Sequence, residues 1–430
     1  MAVLVLGGYG LIGSAVIERL RGDGIPVIGL GRDVRRARRQ APDVEWREAD
    51  LALLQRAEDW PPLLLGVDAV VNAAGVLQQG LTDKVSAVQD RAMRALFAAA
   101  KASGVRRIVQ ISAVGAEGQA STEFLRSKAC ADAALCESGL EFVILRPGLV
   151  ISPVAYGGTA LLRGLAAFPG VTPLVFPKSS IQTVWIGDVV EAVASALRPS
   201  TPSGVIDLVE ETPRSLAETV ALFRQWQGRA PVRQLQLPNL VGQVASACAD
   251  ALGWLGWRSP VRSTALAVMR HGVVGNAADG PARLGRKLRS LPESLAALSA
   301  GPQERWFAGL WLAKPLIIGS LSAFWIASGL IGALRFGGAA SILTDRGASA
   351  GFANAAVLAG DLIDIGLGLS VIVRPLAGWA LKGMILTSLA YLAGATVLAP
   401  DLWLDPLGSM VKVVPAIVLA LVGLAVLGAR

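Results

Sequence analysis

The sequence predicts an α/β domain built on a doubly wound parallel sheet, followed by an all-α bundle of four transmembrane helices. Charge is the first observation behind this prediction, since residues 1–310 carry 60 charged side chains and residues 311–430 carry only 12. The second is a strand, a glycine turn and a helix at the amino terminus, and the third is a series of four apolar runs after residue 314. We therefore expect a globular first part and a membrane-embedded second part.

Composition excludes several classes of function. The three cysteines, Cys130, Cys136 and Cys248, form no C-x-x-C pair, so we expect neither a zinc site nor a redox dithiol. His271 is the single histidine of the chain, which excludes a multi-histidine centre, and we predict no bound metal. The net charge of +8 is too modest and too scattered to indicate nucleic acid, and anionic lipid headgroups are an easier partner.

The amino terminus carries a pattern typical of dinucleotide binding. The apolar run at residues 2–6 predicts a buried strand, and the glycines that follow it precede a helical pattern over residues 11–20. Glycines let backbone N–H groups approach a pyrophosphate, and a helix N-terminus adds positive potential. A strand that begins at residue 2 is expected to leave no room for a signal peptide. The predicted cofactor contacts in this turn are Gly7, Gly8, Tyr9, Gly10, Leu11, Ile12 and Gly13.

Strand and helix patterns alternate along the rest of this first part. Further strands are predicted at residues 25–30, 44–46, 69–72, 108–112 and 142–145. The clearest helices are predicted at residues 83–102 and 122–138. Because alternation of this length is typical of parallel sheets covered by helices on both faces, we predict a Rossmann domain.

The ends of the second, third and fourth strands indicate which dinucleotide is bound. An acid at the end of the second strand bonds ribose hydroxyls, whereas an arginine suits the 2′-phosphate of NADP(H). Arg32, with Arg35 or Arg36 behind it, favours NADP(H) over NAD(H), while Asp33 leaves a ribose contact open. The remaining cofactor contacts are expected near the adenine and along the fourth strand, at Asp50, Leu51, Asn72, Ala73, Ala74 and Gly75.

Together these motifs resemble the short-chain dehydrogenase/reductase superfamily, in particular its atypical or extended branch of NmrA-like and complex I accessory-subunit-like proteins. The resemblance covers about residues 1–230 in the family order. It rests on the glycine turn, Asp50-Leu51, the segments 72–75 and 111–115, Arg126-Ser127-Lys128-Ala129, Leu145-Arg146-Pro147-Gly148 and the segment 184–189. It implies an NAD(P)-binding, oxidoreductase-like domain in which Pro147 and Lys128 also lie at the cofactor.

The resemblance implies a catalytic set from which this chain departs. In the superfamily a Tyr-x-x-x-Lys pair on one helix face transfers a proton, assisted by a serine at the end of the fifth strand. Ser112 and Lys128 occupy the matching positions, but Phe124 replaces the tyrosine and cannot donate a proton. None of the three tyrosines of the chain lies four residues before a lysine. We therefore favour Lys128 as an anchor for the cofactor ribose.

The segment between the sheet and the membrane resembles the variable substrate lobe of the family. Asp188 is expected to cap the helix after it, and Ser215 with Glu218 forms a capping box that opens a helix to residue 227. Residues 238–274 are apolar, which fits either a lobe that closes over the substrate or a helix that rests on lipid. Residues 275–305 are expected to form a basic linker on the membrane surface. The predicted domain boundaries are residues 1–235, 236–310 and 311–430.

Four apolar runs predict transmembrane helices at about residues 315–334, 352–373, 383–400 and 411–429. About 20 apolar residues cross the hydrocarbon core of a bilayer, and snorkelling of Lys382 and Lys412 extends the two shorter runs. The flanks place five basic residues on one side, so we expect a multi-pass inner-membrane protein with the nucleotide domain and both termini in the cytoplasm. The number of runs, their length and the acidic second run resemble the DoxX-like family, which implies a fold more than a function.

Asp361 and Asp364 lie one helical turn apart in the second apolar run. Carboxylates are costly at this depth, so we expect both to face the interior of the bundle. They fit either a site for a proton, an ion or a quinone headgroup, or a polar network that fixes helix packing. Besides a basic residue at a helix end, the expected partners are Ser320, Ser322, Thr387 and Ser388.

The sequence leaves two main functions open. The cofactor motifs favour a membrane-anchored oxidoreductase that acts on a lipophilic substrate such as a quinone or an isoprenoid. Phe124 favours a dinucleotide-binding sensor or structural module without turnover. A transporter with a regulatory domain is a weaker third interpretation. The sequence is also compatible with a homo-oligomer.

Overall fold

The computed structural model describes residues 1–78, 80, 84–406 and 408–428. The chain forms two compact units, one of Met1–Asp250 and Ser259–Arg305 and the other of Ala251–Arg258 and Trp306–Arg430. The predicted boundaries at residues 235 and 310 therefore differ from the structural ones, because residues 259–305 fold with the first unit.

The strands of the first unit are β1 (Val3–Leu6), β2 (Val27–Gly31), β3 (Glu45–Glu48), β4 (Ala69–Asn72), β5 (Arg107–Ile111), β6 (Glu141–Pro147), β7 (Leu149–Ile151), β8 (Val171–Leu174), β9 (Ser180–Ile181), β10 (Thr183–Trp185), β11 (Gly204–Leu208), β12 (Arg214–Ser215) and β13 (Arg233–Gln236). The α-helices up to residue 296 are α1 (Leu11–Gly22), α2 (Val34–Gln40), α3 (Pro61–Leu64), α4 (Ala92–Ala102), α5 (Glu123–Glu137), α6 (Gly158–Ala167), α7 (Ile186–Ala196), α8 (Leu216–Trp226), α9 (Asn239–Trp254), α10 (Ser263–His271), α11 (Asp279–Leu284) and α12 (Leu291–Ala296).

Seven parallel strands form the main sheet, in the order β11-β6-β5-β4-β1-β2-β3. This order confirms the predicted doubly wound α/β class. The chain direction across the sheet reverses between β1 and β4, where Leu6 pairs with Leu30 on one side and Asn72 on the other. Ligands of such sheets bind at the carboxyl ends of the strands beside this switch point.

The sheet separates two apolar layers. Because successive side chains of a strand point to opposite faces, Val3 and Val5 pack into the cluster that contains α1 and α7. Leu4 and Leu6 pack into the other cluster, which contains α4 and part of α5. All four side chains have no exposed surface, so β1 is fixed from both faces and holds the turn that follows it.

The predicted elements of the first unit are largely confirmed. β4 has the predicted bounds, and α5 begins after Thr122, whose hydroxyl accepts a hydrogen bond from Leu125 N at 3.3 Å. The capping box of Ser215 and Glu218 opens α8 as predicted. The helix predicted at residues 83–102 is a π-helical turn, Ala87–Arg91, followed by α4, and residue 83 lies outside the described residues. β11 was not predicted.

The predicted role of Asp188 as a helix cap is wrong. Helix α7 begins two residues earlier, and the buried Asp188 carboxylate instead accepts hydrogen bonds from Arg286 Nη2 at 2.7 Å and Arg289 N at 2.9 Å. The predicted linker at residues 275–305 is accordingly folded, since Leu291 and Leu295 are buried in the first unit. A buried carboxylate with two donors ties this basic segment to α7.

The second unit is helical. Its main helices are α13 (Pro302–Leu334, whose first turn belongs to the first unit), α14 (Phe336–Thr344), α15 (Ala350–Ser370), α16 (Arg374–Leu398) and α17 (Val413–Leu427). Among the described residues, α13, α15 and α16 are long and apolar enough to cross a membrane, and α17 is a shorter apolar helix. Three of the four predicted spans thus lie on such helices, while the fourth is a 15-residue helix. Residue 429 of that prediction lies outside the described residues.

Candidate functional site

The glycine turn lies at the switch point of the sheet. Gly7 has a φ of +67°, and a Cβ added to it would lie 2.9 Å from Cα of Ala74. A Cβ added to Gly13 would lie 2.3 Å from the carbonyl oxygen of Gly7. Gly8 donates its N–H to Leu30 O at 3.2 Å. Side chains at these places would displace the turn, so its backbone surface depends on glycine.

The turn leads directly into the N-terminus of α1. Gly10 is the N-cap residue in an extended conformation, and the first helical bond runs from Ser14 N to Gly10 O at 3.0 Å. The amides of Leu11 and Ile12 therefore lie before the first helical hydrogen bond. N–H groups at this position of a helix have no acceptor within the helix. A helix N-terminus at a switch point is suited to a phosphate group.

Tyr9 of the glycine turn lies near the end of β2, beside the segment that carries the two arginines predicted to select the dinucleotide. The Tyr9 hydroxyl accepts a hydrogen bond from Arg32 N at 3.2 Å, and its ring lies where a side chain on Gly31 would be. Arg32 and Arg36 have exposed side chains. Asp33 accepts the Arg35 N–H at 3.2 Å as the N-cap of α2, so this acid stabilises the helix start.

Other residues that were predicted to contact the cofactor lie at the same carboxyl edge of the sheet. Asp50 accepts the Ala52 N–H at 3.0 Å, and Leu51 is buried in the core. The Asn72 side chain is also buried, donating to Gln110 Oε1 at 2.8 Å and accepting the Ala74 N–H at 3.1 Å. Asn72 thus stabilises the turn at Ala73 and Ala74 through these hydrogen bonds. The sequence alone did not distinguish this structural role from a contact with the cofactor.

Lys128 lies at this edge of the sheet and is almost fully buried. Its Nζ donates to Ile111 O at 2.8 Å, at the end of β5. A Cβ added to Gly75 would lie 3.9 Å from the same Nζ, which places the ammonium beside the end of β4. The Phe124 ring lies one helical turn away, with its centroid 5.7 Å from Nζ. The structure therefore brings together Lys128 and Gly75, which were predicted separately as cofactor contacts.

Ser112 belongs to a buried polar cluster that the sequence did not predict. Its hydroxyl donates to Asp132 Oδ2 at 2.7 Å, and Arg146 Nη2 approaches the same oxygen at 3.2 Å. Asp132 Oδ1 has no hydrogen-bond partner among the described residues. Asp132 lies four residues after Lys128 on α5, and this i, i+4 spacing was the signal that would have found it.

Burial shifts the pKa values of this cluster. Burial lowers the pKa of Lys128 to about 8, against the opposing field of Asp132. Burial also raises the pKa of Asp132, which the Ser112 hydrogen bond and the positive charge of Arg146 partly offset. Perturbed titratable groups are common at functional sites, so the cluster supports this edge as the functional one.

Phe124 and Pro147 are the remaining predicted positions near this cluster. Phe124 occupies the position of the family's tyrosine and carries no exchangeable proton. Tyr156 is exposed, with 52% of its surface accessible. Pro147 is buried at the end of β6, where its carbonyl accepts the Val114 N–H at 3.3 Å. Phe124 therefore cannot supply the proton that the tyrosine of the family would donate at this position.

In the helical unit, Asp364 has a hydrogen-bond partner that is not among the predicted ones. Asp364 Oδ1 accepts a hydrogen bond from the Tyr391 hydroxyl of α16 at 2.8 Å. The predicted partner Ser322 donates instead to Gly368 O at 2.8 Å, and Ser320 to a carbonyl within α13. Asp361 Oδ2 is buried without a hydrogen-bond partner among the described residues. Tyr391 was missed because nothing in its spacing links it to α15.

Two segments of the chain match known families. Residues 7–166 match the NAD(P)H-binding family, and residues 322–421 match the DoxX-like family. The first unit is thus an NAD(P)H-binding, oxidoreductase-like domain, and it is joined to a DoxX-like domain whose apolar helices mark a membrane-associated protein. Both predicted family resemblances are confirmed.

Individual relatives agree with this assignment. An NAD(P)H azoreductase of Xenophilus azovorans is 33% identical over 147 residues, which is 34% of this chain and 47% of that protein. The chain therefore spans about half the length of this curated relative. An NADPH-dependent quinone oxidoreductase of Escherichia coli, solved with NADPH, is 19% identical with a TM-score of 0.54 over 69% of this chain and 99% of that chain. A Citrobacter triphenylmethane reductase, solved with NADP(H), is 18% identical with a TM-score of 0.53 over 69% and 99%. These two structural likenesses concern the fold.

Proposed function

We propose that the chain is a membrane-bound, NADP(H)-dependent oxidoreductase that reduces a lipophilic, quinone-like or isoprenoid substrate. The observation that carries the proposal is the position of the buried Lys128 ammonium beside Gly75, at the switch point that the glycine turn also borders. A nicotinamide dinucleotide fits these residues, because Gly7 and Gly13 leave the backbone uncovered and Lys128 offers a donor to a ribose. When bound, the nicotinamide supplies the hydride.

Phe124 bears on the class of substrate. Reduction of an alkyl ketone produces a strongly basic alkoxide, which needs an acid at the site. Reduction of a quinone produces a phenolate, and a phenol has a pKa of about 10, so water is a sufficient proton source. A site without the tyrosine is therefore better suited to a quinone than to a simple ketone. The NADPH-dependent quinone oxidoreductase among the similar structures is consistent with this class.

Arg32 and Arg36 support NADP(H) over NAD(H). Both side chains are exposed at the end of β2 and the start of α2, and Asp33 caps that helix. Guanidinium groups pair well with phosphate. Replacing Arg32 with Ala should weaken NADPH binding by about 10-fold or more and leave NADH binding nearly unchanged.

We further propose an inner-membrane location with the dinucleotide-binding unit in the cytoplasm. The basic residues Lys314, Arg374 and Lys382 flank the apolar runs of α13 and α16 on the side that would face the cytoplasm. The positive-inside rule supports that orientation, and both termini would then lie inside. The substrate would reach the protein from the lipid phase.

The experiment that tests the function uses the full chain in lipid nanodiscs. NADPH oxidation is measured with short-chain ubiquinone and menaquinone analogues, with Lys128→Met as the test variant and the exposed Lys101→Met as its control. We expect quinone-dependent oxidation in the wild type and the control, and its loss in Lys128→Met. Binding of NADPH without oxidation by any quinone would contradict the proposal.

A dinucleotide sensor without turnover is the second candidate. Phe124 favours it because a proton donor is missing. The Ser112 hydroxyl also favours it, because this hydroxyl already donates its hydrogen bond to Asp132. Phe124→Tyr separates the two candidates, because a restored phenol beside Lys128 should give ketone reduction only if the rest of the reductase site is intact. Dinucleotide binding with no activity in either protein would support the sensor.

A further inference from the structure

A cluster of basic and aromatic side chains lies at one end of the helical unit. Trp257 is its centre, with its ring centroid 5.9 Å from Lys314 Nζ and 5.7 Å from the guanidinium carbon of Arg374. The Trp257 indole N–H donates to Ile372 O at 2.5 Å. Two cations from α13 and α16 thus converge on one ring, and the ring is fixed by its own hydrogen bond.

The backbone around this cluster is also fixed. Leu255 O accepts the Arg374 N–H at 2.9 Å, and a Cβ on Gly256, which has a φ of +89°, would lie 3.2 Å from Cβ of Arg374. Arg374 Nη2 donates to Leu427 O, at the end of α17, at 2.9 Å. The segment 255–257, the start of α16 and the end of α17 therefore hold the cluster in place.

A second cation–aromatic pair lies on the first turns of α16. Lys382 is eight residues after Arg374, about 12 Å along the helix axis. Its Nζ lies 4.7 Å from the Trp379 ring, one turn back toward Arg374, and Trp379 is 74% exposed. Lysines that turn their ammonium along apolar surface toward the interface, beside exposed tryptophan, are typical of the headgroup region of a bilayer. We name Trp257, Lys314, Arg374, Trp379 and Lys382 the basic aromatic end.

Charge in the helical unit is unevenly distributed. The five acids of its sequence occupy positions 345, 361, 364, 401 and 405, and none lies in residues 251–258, 306–314, 371–382 or 413–430. Arg346 is paired with Asp401 at the other end of the helices. The basic residues at that other end lie among acids, whereas the basic aromatic end has a net positive charge and would attract anions.

We infer that the basic aromatic end binds the phosphate of an anionic phospholipid headgroup, with Lys314 and Arg374 as its charged contacts beside Trp257. Lys314 directly precedes the uncharged run 315–334 of α13, and Arg374 is the first residue of α16, so a phosphate between them would lie at the edge of the apolar stretches, at headgroup depth. Exposed apolar side chains on the same two helices, Leu310 and Leu376, are available to the acyl chains. A lipid phosphate therefore meets both the charge and the apolar surface, which a soluble anion would not.

The test is native mass spectrometry of the full chain in detergent, with phosphatidylglycerol and phosphatidylcholine of the same acyl chains. We expect retention of phosphatidylglycerol at least about 10-fold above phosphatidylcholine, falling as salt is raised. The variant Lys314→Gln/Arg374→Gln should lose this preference. The control Arg335→Gln/Lys412→Gln removes the same charge from exposed residues at the opposite helix ends and should keep it.

Equal retention of the two lipids by the wild type would overturn the inference, as would a preference that survives in Lys314→Gln/Arg374→Gln. Arg374 also caps α17, so the milder variant Lys314→Gln/Lys382→Gln provides the same comparison if the first does not fold. A wild-type preference that is insensitive to salt would count against a phosphate contact. None of these measurements depends on the dinucleotide, so their outcome is separate from that of the proposed oxidoreductase.

Discussion

At the residue scale, Lys128 shows how burial alters a side chain that a motif locates. The spacing to Phe124 and the strand before it predicted its position. Its pKa of about 8 follows from packing, since the ammonium has lost most of its water and bonds one carbonyl, Ile111 O. The nearby Asp132 is buried too, and its burial raises the pKa of that carboxyl.

Dinucleotide affinity should depend on pH through Lys128. Because burial lowers the pKa of this base below its ordinary value, the ammonium is charged at about pH 7 and loses its proton as pH rises through about 8. NADPH affinity, measured by fluorescence titration of the full chain, should therefore fall by up to about 10-fold between pH 7 and pH 9.

Two variants check the assignment of this titration. Lys128→Met should bind NADPH more weakly at every pH and show no inflection near pH 8. Lys101→Met, on the surface of α4, should keep the wild-type profile. A wild-type affinity that is flat across this range would show that the ammonium does not contact the cofactor.

At the element scale, the β1–α1 unit is the part of the site most fully determined by local sequence. A strand of four buried residues, a turn of closely spaced glycines and a helix require no distant partner to be predicted. The Ser112–Asp132–Arg146 cluster is different, because it joins β5, α5 and β6. Strand pairing had to be known before these three side chains could be placed together.

Substitution within α1 distinguishes a glycine that has no room for a side chain from one that has room. Gly13→Ala should weaken NADPH binding by roughly 10- to 100-fold, because its Cβ would lie 2.3 Å from Gly7 O and push the turn outward. Gly22→Ala is the matched control, since a Cβ there meets nothing within 4 Å. Calorimetric titration of each purified full-length variant measures the effect. Equal affinities of the two variants would contradict the close contact.

At the scale of the whole molecule, charge distribution and hydropathy predicted two parts. The structure also has two units, but they divide at other residues than the predicted ones. Residues 259–305 belong to the first unit because Asp188 and the buried Leu291 and Leu295 hold them there. Residues 251–258 belong to the second because of Trp257 and its neighbours. A segment that is apolar and basic in sequence fits both a linker and a packed element, and only its partners distinguish them.

The proposed orientation gives a direct test of topology. In a chain with Cys130, Cys136 and Cys248 replaced by Ala, a new cysteine at Ala348, between α14 and α15, should react with a membrane-impermeant maleimide in intact cells. A cysteine at Lys101, exposed in the first unit, should react only after permeabilisation. The reverse pattern would show that the dinucleotide-binding unit lies outside the cytoplasm.

The local sequence was sufficient for the class of fold, the glycine turn, the positions of Ser112, Phe124 and Lys128, and the apolar helices. These follow from periodicity and short-range spacing, which act within one or two elements. Tertiary structure alone decided what those residues meet: Asp132 beside Ser112, Tyr391 beside Asp364, and two cations around Trp257. Such contacts join elements far apart in the chain, and their burial sets the charge and chemistry of each site.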